Sequence, residues 1–120
     1  MNKKTVIIGA TTDSSRYAYR AAKVLIDKGH EIVPIGIKKG EVFGNKIIND
    51  YPFIENVDTV TLYVGSANQS NLVDYIISLK PKRIIFNPGT ENEYLIKKAI
   101  DNDIEPVIGC TLVMLASKSY

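Results

Sequence analysis

Apolar residues along this chain fall into short β-branched runs that alternate with longer stretches of helical spacing. The runs KTVII (4–8), EIVPI (31–35), DTVTLYV (58–64), KRIIF (82–86) and EPVIG (105–109) have the length and composition of buried strands. Between the first two, Tyr17, Ala18, Ala21, Ala22, Leu25 and Ile26 recur at helical intervals, which predicts a helix over 15–28 with one apolar stripe facing a sheet. Gly29 ends it as a residue able to take a positive φ. A second helix over 67–79 turns Leu72, Val73, Ile76 and Leu79 inward, and Pro81 closes it. A third over 91–101 buries Leu95, Ile96, Ala99 and Ile100, and TLVMLAS (111–117) forms a closing turn or short helix. Only residues 36–57 lack a period. Their glycines predict a loop, with a short extra strand near 46–48. Pro34 marks the end of the second strand or an edge position.

Strands alternating with helices of this length predict a parallel sheet joined by right-handed crossovers. The strand cores VII, LYV and RIIF are apolar on both sides, so helices are expected on both faces. The expected fold is α/β, a three-layer, Rossmann-like, doubly wound and mostly parallel sheet of about five strands, as one domain over 1–120.

Composition narrows the partners. A hydrophobic content of 45% and a charged content of 23% are ordinary for a soluble globular protein. The net charge is only +2, and the lysines are scattered or paired rather than massed on one helix face, which argues against nucleic acid. No apolar run approaches the ~18 residues that a membrane-spanning helix needs, so no membrane partner is expected. MNKKTVIIGA carries two lysines before an apolar stretch, as a signal peptide does. That stretch is short and polar residues follow it, so it reads as the first strand of a cytoplasmic protein. The lone Cys110 cannot form an internal disulfide, which fits a reducing compartment. Oligomeric state is left open.

In open α/β sheets ligands bind beyond the carboxyl ends of the strands, which here means residues 9–15, 36–39, 64–68 and 87–92. Ser66–Gln69 and Thr90–Glu93 have the spacing of capping boxes. Gly9 permits a tight turn and close ligand approach, although a plain βα turn uses a glycine equally well. Thr11, Thr12, Ser14 and Ser15 follow with hydroxyls and amides at a helix start, where anions are favoured. A dinucleotide site places a carboxylate at the end of the second strand to hold ribose hydroxyls. Here the strand ends Ile35-Gly36-Ile37-Lys38-Lys39, which suits a phosphorylated ribose, whether the 2′-phosphate of NADP or the 3′-phosphate of coenzyme A. A solvated lysine pair is the plainer alternative. His30 lies on the side away from this rim, and Cys110 reads as small apolar filler. Asp13, Glu91 and Glu93 are explained by capping and the helix dipole. No metal-ligand spacing and no nucleophile–histidine–acid set is present, so no catalytic or metal residues are assigned.

Taken in order, several pieces resemble one family. They are Gly9-Ala10-Thr11, the helix from Arg16 to Leu25, Lys28 to Pro34, the Lys38 to Gly44 loop, Val57-Asp58, Asn87 to Asn92, and Gly109 to Leu115. The sequence resembles the small single-domain CoA-binding proteins, relatives of the CoA-binding domain of the succinyl-CoA synthetase alpha subunit. That resemblance implies a Rossmann-like fold binding coenzyme A or an acyl-CoA, without catalysis. It implies that Gly9, Ala10 and Thr11 approach the pyrophosphate or pantetheine with Arg16 nearby, and that Lys38 meets the nucleotide phosphates. Val64 and Gly65 would line one side of the ligand, and Asn87, Pro88 and Gly89 the far wall. The family's usual Val-Asn-Pro-Lys is replaced by Ile35-Gly36-Ile37-Lys38. Two alternatives therefore stay open: an NADP- or other nucleotide-binding enzyme component, and a regulatory protein whose ligand site has decayed.

Overall fold

The computed structural model describes residues 2–120. Strand β1 (Thr5–Ile8) leads through helix α1 (Tyr17–Asp27) to β2 (Ile32–Ile35). A small hairpin follows, β3 (Glu41–Val42) and β4 (Asn45–Lys46). Then come β5 (Thr59–Leu62), α2 (Val73–Ser78), β6 (Arg83–Phe86), α3 (Glu93–Asp101), β7 (Glu105–Ile108) and α4 (Thr111–Ala116). The main sheet has five parallel strands in the order β2-β1-β5-β6-β7. This is the expected Rossmann-like α/β architecture, and its strand order reverses between β1 and β5.

Side chains of alternate parity serve the two faces, as a pleated strand requires. Val6, Ile8, Val60, Leu62, Ile84 and Phe86 pack beneath α2 and α3, against Leu72, Val73, Ile76, Leu95 and Ala99. On the other face Ile7 meets Ala18, Ala22 and Leu25 of α1 and Leu115 of α4. Small alanines on α1 let that helix lie close to the sheet.

The irregular stretch after β2 carries a topological detail. Ile35 and Ile48 form a single parallel bridge, with Ile48 N–H donating to the Pro34 carbonyl (2.9 Å) and Gly36 N–H to the Ile48 carbonyl (3.1 Å). The Ile35 carbonyl turns inward, accepting from Gly9 and Ala10, so the Pro34 nitrogen faces the outer side. Proline offers no donor there, and the would-be outermost strand is cut to one bridge. The short strand expected near 46–48 thus appears as Asn45–Lys46 of the hairpin plus this bridge.

Three expectations need correction. Tyr17 is 66% exposed, because it starts α1 ahead of the sheet and its ring lies beside the Arg20 guanidinium instead. Ile100 is 59% exposed, because α3 lies over β7, the last strand, and no described element lies beyond that edge. The helix expected over 67–79 is a 3₁₀ turn at Ser66–Asn68 followed by the shorter α2, although Leu72, Val73, Ile76 and Leu79 are all buried as predicted.

Candidate functional site

The site is built where β1, β2 and β5 end. Gly9 adopts φ +94°, a region that side chains resist. A Cβ there would stand 3.1 Å from the Tyr63 carbonyl and from a Val64 methyl. The Gly9 and Ala10 N–H groups both donate to the Ile35 carbonyl, at 2.9 and 3.0 Å. Gly36 is equally tight, since a Cβ on it would lie 2.9 Å from the Ala10 carbonyl oxygen. Two glycines therefore let three strand ends converge around a cleft of about 610 Å³.

Gly9, Ala10, Thr11, Arg16, Lys38, Val64 and Gly65 line this cleft together. The lining also includes Asn68, within the expected 64–68 rim segment, and Tyr51, Tyr63 and Asn71, which the sequence did not single out. Tyr51 sits in the aperiodic stretch, where no pattern marks it. Asn71 was hidden inside a helix that actually starts two residues later, at Val73.

Beside the cleft stands the N-terminus of α1. Its N-cap is Arg16, no side chain caps it, and no acid occupies its first turn. Among the described residues no side chain takes up its free N–H groups, and its positive dipole end favours an anion. Asp13 is committed elsewhere: its carboxylate accepts from the Ser15 N–H (3.0 Å) and hydroxyl (2.7 Å). The Ser15 hydroxyl, then the Ser15 N–H, hold the Asp13 carboxyl below the usual range, with smaller help from Arg16 and Lys38. Arg16 also lies 3.6 Å from Asp13. Thr12 and Ser14 are exposed and stand outside the lining, Thr12 pressing its methyl toward Gly40.

Asn87, Pro88 and Gly89 also stand outside the cleft lining. Asn87 is buried, donating to the Thr61 hydroxyl and the Leu62 carbonyl (both 2.7 Å) and accepting from the Thr111 N–H (2.9 Å). Thr61 and Thr111 close the triangle with a 2.8 Å hydroxyl pair. Among the described residues the neighbouring Tyr63 hydroxyl has no hydrogen-bond partner, and burial pushes its pKa up to about 12. Asn87-Pro88-Gly89-Thr90 forms a tight turn, closed by the Thr90 N–H on the Asn87 carbonyl at 2.9 Å, with Gly89 at φ +89°. A Cβ on Gly65 would come 4.0 Å from the Gly89 carbonyl, so this turn adjoins the cleft at Gly65.

Both expected capping boxes resolve differently. The cap of α3 is Asn92, accepting from the Tyr94 and Leu95 N–H groups, while Thr90 turns its hydroxyl back to the Asn87 carbonyl. Ser66 caps nothing. Its presumed partner Gln69 is fully buried, donating to the Val64 (2.7 Å) and Thr90 (2.8 Å) carbonyls and accepting from Asn92 (3.1 Å). Gln69 thus joins two rim segments that the sequence left separate. His30 lies at the far end of the sheet, its Nδ1 accepting from the Lys3 N–H at 2.9 Å. Cys110 is half-buried at the start of α4.

No curated protein matches the chain. A solved crystal structure of an uncharacterized protein is 59% identical, covers 100% of this chain and 99% of its own, and superposes with a TM-score of 0.98. A hypothetical protein from Pyrococcus horikoshii OT3 (24% identity, 97% of this chain, 82% of that chain, TM-score 0.86) shares the fold. So does the dinucleotide-forming acetyl-coenzyme A synthetase 1 of Ca. Korarchaeum cryptofilum, in complex with phosphate and ADP. There the identity is 19%, the match covers 89% of this chain and 25% of that one, and the TM-score is 0.74. The family model for the CoA binding domain matches residues 3–116, and the chain belongs to that family.

Proposed function

We propose that this protein binds coenzyme A or an acyl-CoA in the cleft at the ends of β1, β2 and β5, as a binding module without catalysis. The observation that carries the reading is the convergence there of an uncapped α1 N-terminus, Arg16 and Lys38, with no carboxylate at the end of β2. Such a site favours anions and has nothing to hold a bare ribose diol. The cleft volume of about 610 Å³ lies within the range of small-molecule sites, about 300–1,000 Å³. Membership of the CoA-binding family points to the same ligand.

In this reading the Gly9, Ala10 and Thr11 backbone and the α1 amides meet the pyrophosphate, with Arg16 beside them. Thr12 and Ser14 supply further polar atoms at the mouth. Lys38 takes the 3′-phosphate, and Val64 and Gly65 form the apolar floor. Asn87 supports the turn at Pro88 and Gly89, which meets the part of the ligand that extends past Gly65. A nucleotide ligand is the only partner this reading needs, and a cytoplasmic setting supplies it.

Thermal-shift and calorimetric titrations with CoA, NADP and NAD test the proposal. CoA at 100 times its Kd adds about 2.7 kcal/mol of stability, a rise in Tm on the order of 10 °C. Lys38→Glu weakens CoA by roughly 1–3 kcal/mol if the lysine makes a charge-assisted phosphate contact. Stabilisation by NADP but not by CoA would overturn the reading in favour of an NADP-binding component.

A further inference from the structure

The turn that carries Lys38 has little of its own to hold it. Ile37 is 85% exposed, and Lys38, Lys39 and Gly40 are exposed as well, so no buried side chain anchors residues 37–40. Among the described residues Lys38 makes no ion pair within 4.0 Å; the Asp13 carboxylate feels its charge only at longer range, so no salt bridge fixes the direction of its ammonium group. The Gly40 end of the turn is held by the Ile47 N–H on its carbonyl (2.9 Å), and what fixes the stretch before it comes from eleven to thirteen residues downstream. The Asn49 side-chain amide donates to the Gly36 carbonyl and the Lys38 carbonyl, both at 2.8 Å. Both partners are acceptors only, so the amide nitrogen must face them and both of its hydrogens are used. Asn49 is itself held by the bridge just before it, where Ile48 pairs with Pro34 and Gly36. A single side chain thus spans Ile37 and sets the backbone from which Lys38 projects.

We infer that Asn49 is a positioning residue for Lys38, and that through it the site prefers a phosphorylated ribose to one with free hydroxyls. This rests on the CoA reading above. Without the amide, the Gly36 and Lys38 carbonyls turn to water. The lysine then samples a wider arc, and the fixed charge that distinguishes a phosphate from a hydroxyl is lost. Backbone contacts to the pyrophosphate, made by the β1 turn on the other side of the cleft, are untouched.

The experiment is a calorimetric comparison of CoA with dephospho-CoA, which lacks only the 3′-phosphate. It is run on wild type, Asn49→Ala, Lys38→Ala and the double variant, with Asn49→Asp as a same-shape variant that has no donor hydrogens. Wild type is expected to favour CoA. Asn49→Ala and Asn49→Asp lower that preference by about 3- to 10-fold while dephospho-CoA affinity changes by less than about 2-fold. In the Lys38→Ala background, Asn49→Ala leaves the preference unchanged, because the residue acts through the lysine. Equal weakening of both ligands, or a further loss of preference in the double variant, would overturn the inference. Failure of the wild-type protein to bind either ligand would remove the CoA reading and this inference with it, and it would be seen before any substitution is compared.

Discussion

At the residue scale, the buried amides of this rim show how much depends on side chains that no ligand need touch. Asn87 uses both ends of its amide to tie the ends of β5 and β6 to the first N–H of α4. Truncation would leave the Leu62 carbonyl and the Thr111 N–H buried without partners, and unpaired buried groups cost more than a hydrogen bond gains. Asn87→Ala is therefore expected to destabilise the fold by about 2–4 kcal/mol in urea titration. A loss below about 0.5 kcal/mol would mean that water replaces the amide. In sequence, Asn87-Pro88-Gly89 reads as a ligand wall on resemblance alone, because a buried hydrogen-bond triangle with Thr61 and Thr111 joins positions far apart in the chain. Gly9 was legible for the opposite reason. A glycine at the end of a first strand states a local backbone need, and its φ of +94° is that need.

At the scale of elements, the rim is held by cross-links between loops, and Gln69 is the main one. It spans the segment after β5 and the segment before α3, which reach the same end of the sheet by separate crossovers. Gln69→Leu keeps the volume and removes every side-chain hydrogen bond, leaving the buried Thr90 carbonyl and the part-buried Val64 carbonyl without this donor. We expect a loss of about 2–3 kcal/mol in denaturant titration. Amide exchange should quicken across 64–69 and 87–92 before it quickens in the strands. Uniform acceleration throughout the chain would contradict a local clamp. The same residue explains why the second helix is shorter than its apolar period predicts. Periodic apolar positions at Leu72, Val73, Ile76 and Leu79 were real and all are buried. A helix running through Gln69 would carry its amide away from the two carbonyls it serves, and polar satisfaction overrode the period. The central strands were legible because both of their faces are buried, and the other helices because one face of each is committed to a core, whereas Tyr51 and Asn49 lie where no periodicity operates.

At the scale of the whole molecule, the two ends of the sheet do different work. The carboxyl end gathers the cleft, while the amino end gathers Lys3, His30, Arg83, Asp58 and Tyr120. His30 accepts the Lys3 N–H on Nδ1, and its ring sits 5.0 Å from that of Tyr120. Burial first, then the positive charges of Lys3 and Arg83, lower the His30 pKa from 6.5, with Asp58 opposing weakly. The folded chain therefore disfavours protonated His30, and the unfolded chain takes up the proton more readily. That contribution to stability is complete above about pH 6.5 and is lost as pH falls through the lower folded-state value. Urea midpoints measured at pH 7.5 and pH 5.5 should fall on acidification, and His30→Gln should flatten the difference. An unchanged slope in that variant would assign the acid sensitivity to carboxylates instead. Because His30 stands at the end of the sheet opposite Lys38 and Arg16, the substitution should leave the CoA-induced rise in Tm at pH 7.5 as it is in wild type. Loss of that rise would mean that the two ends of the sheet are coupled through β1, the strand that reaches from beside Lys3 to Gly9.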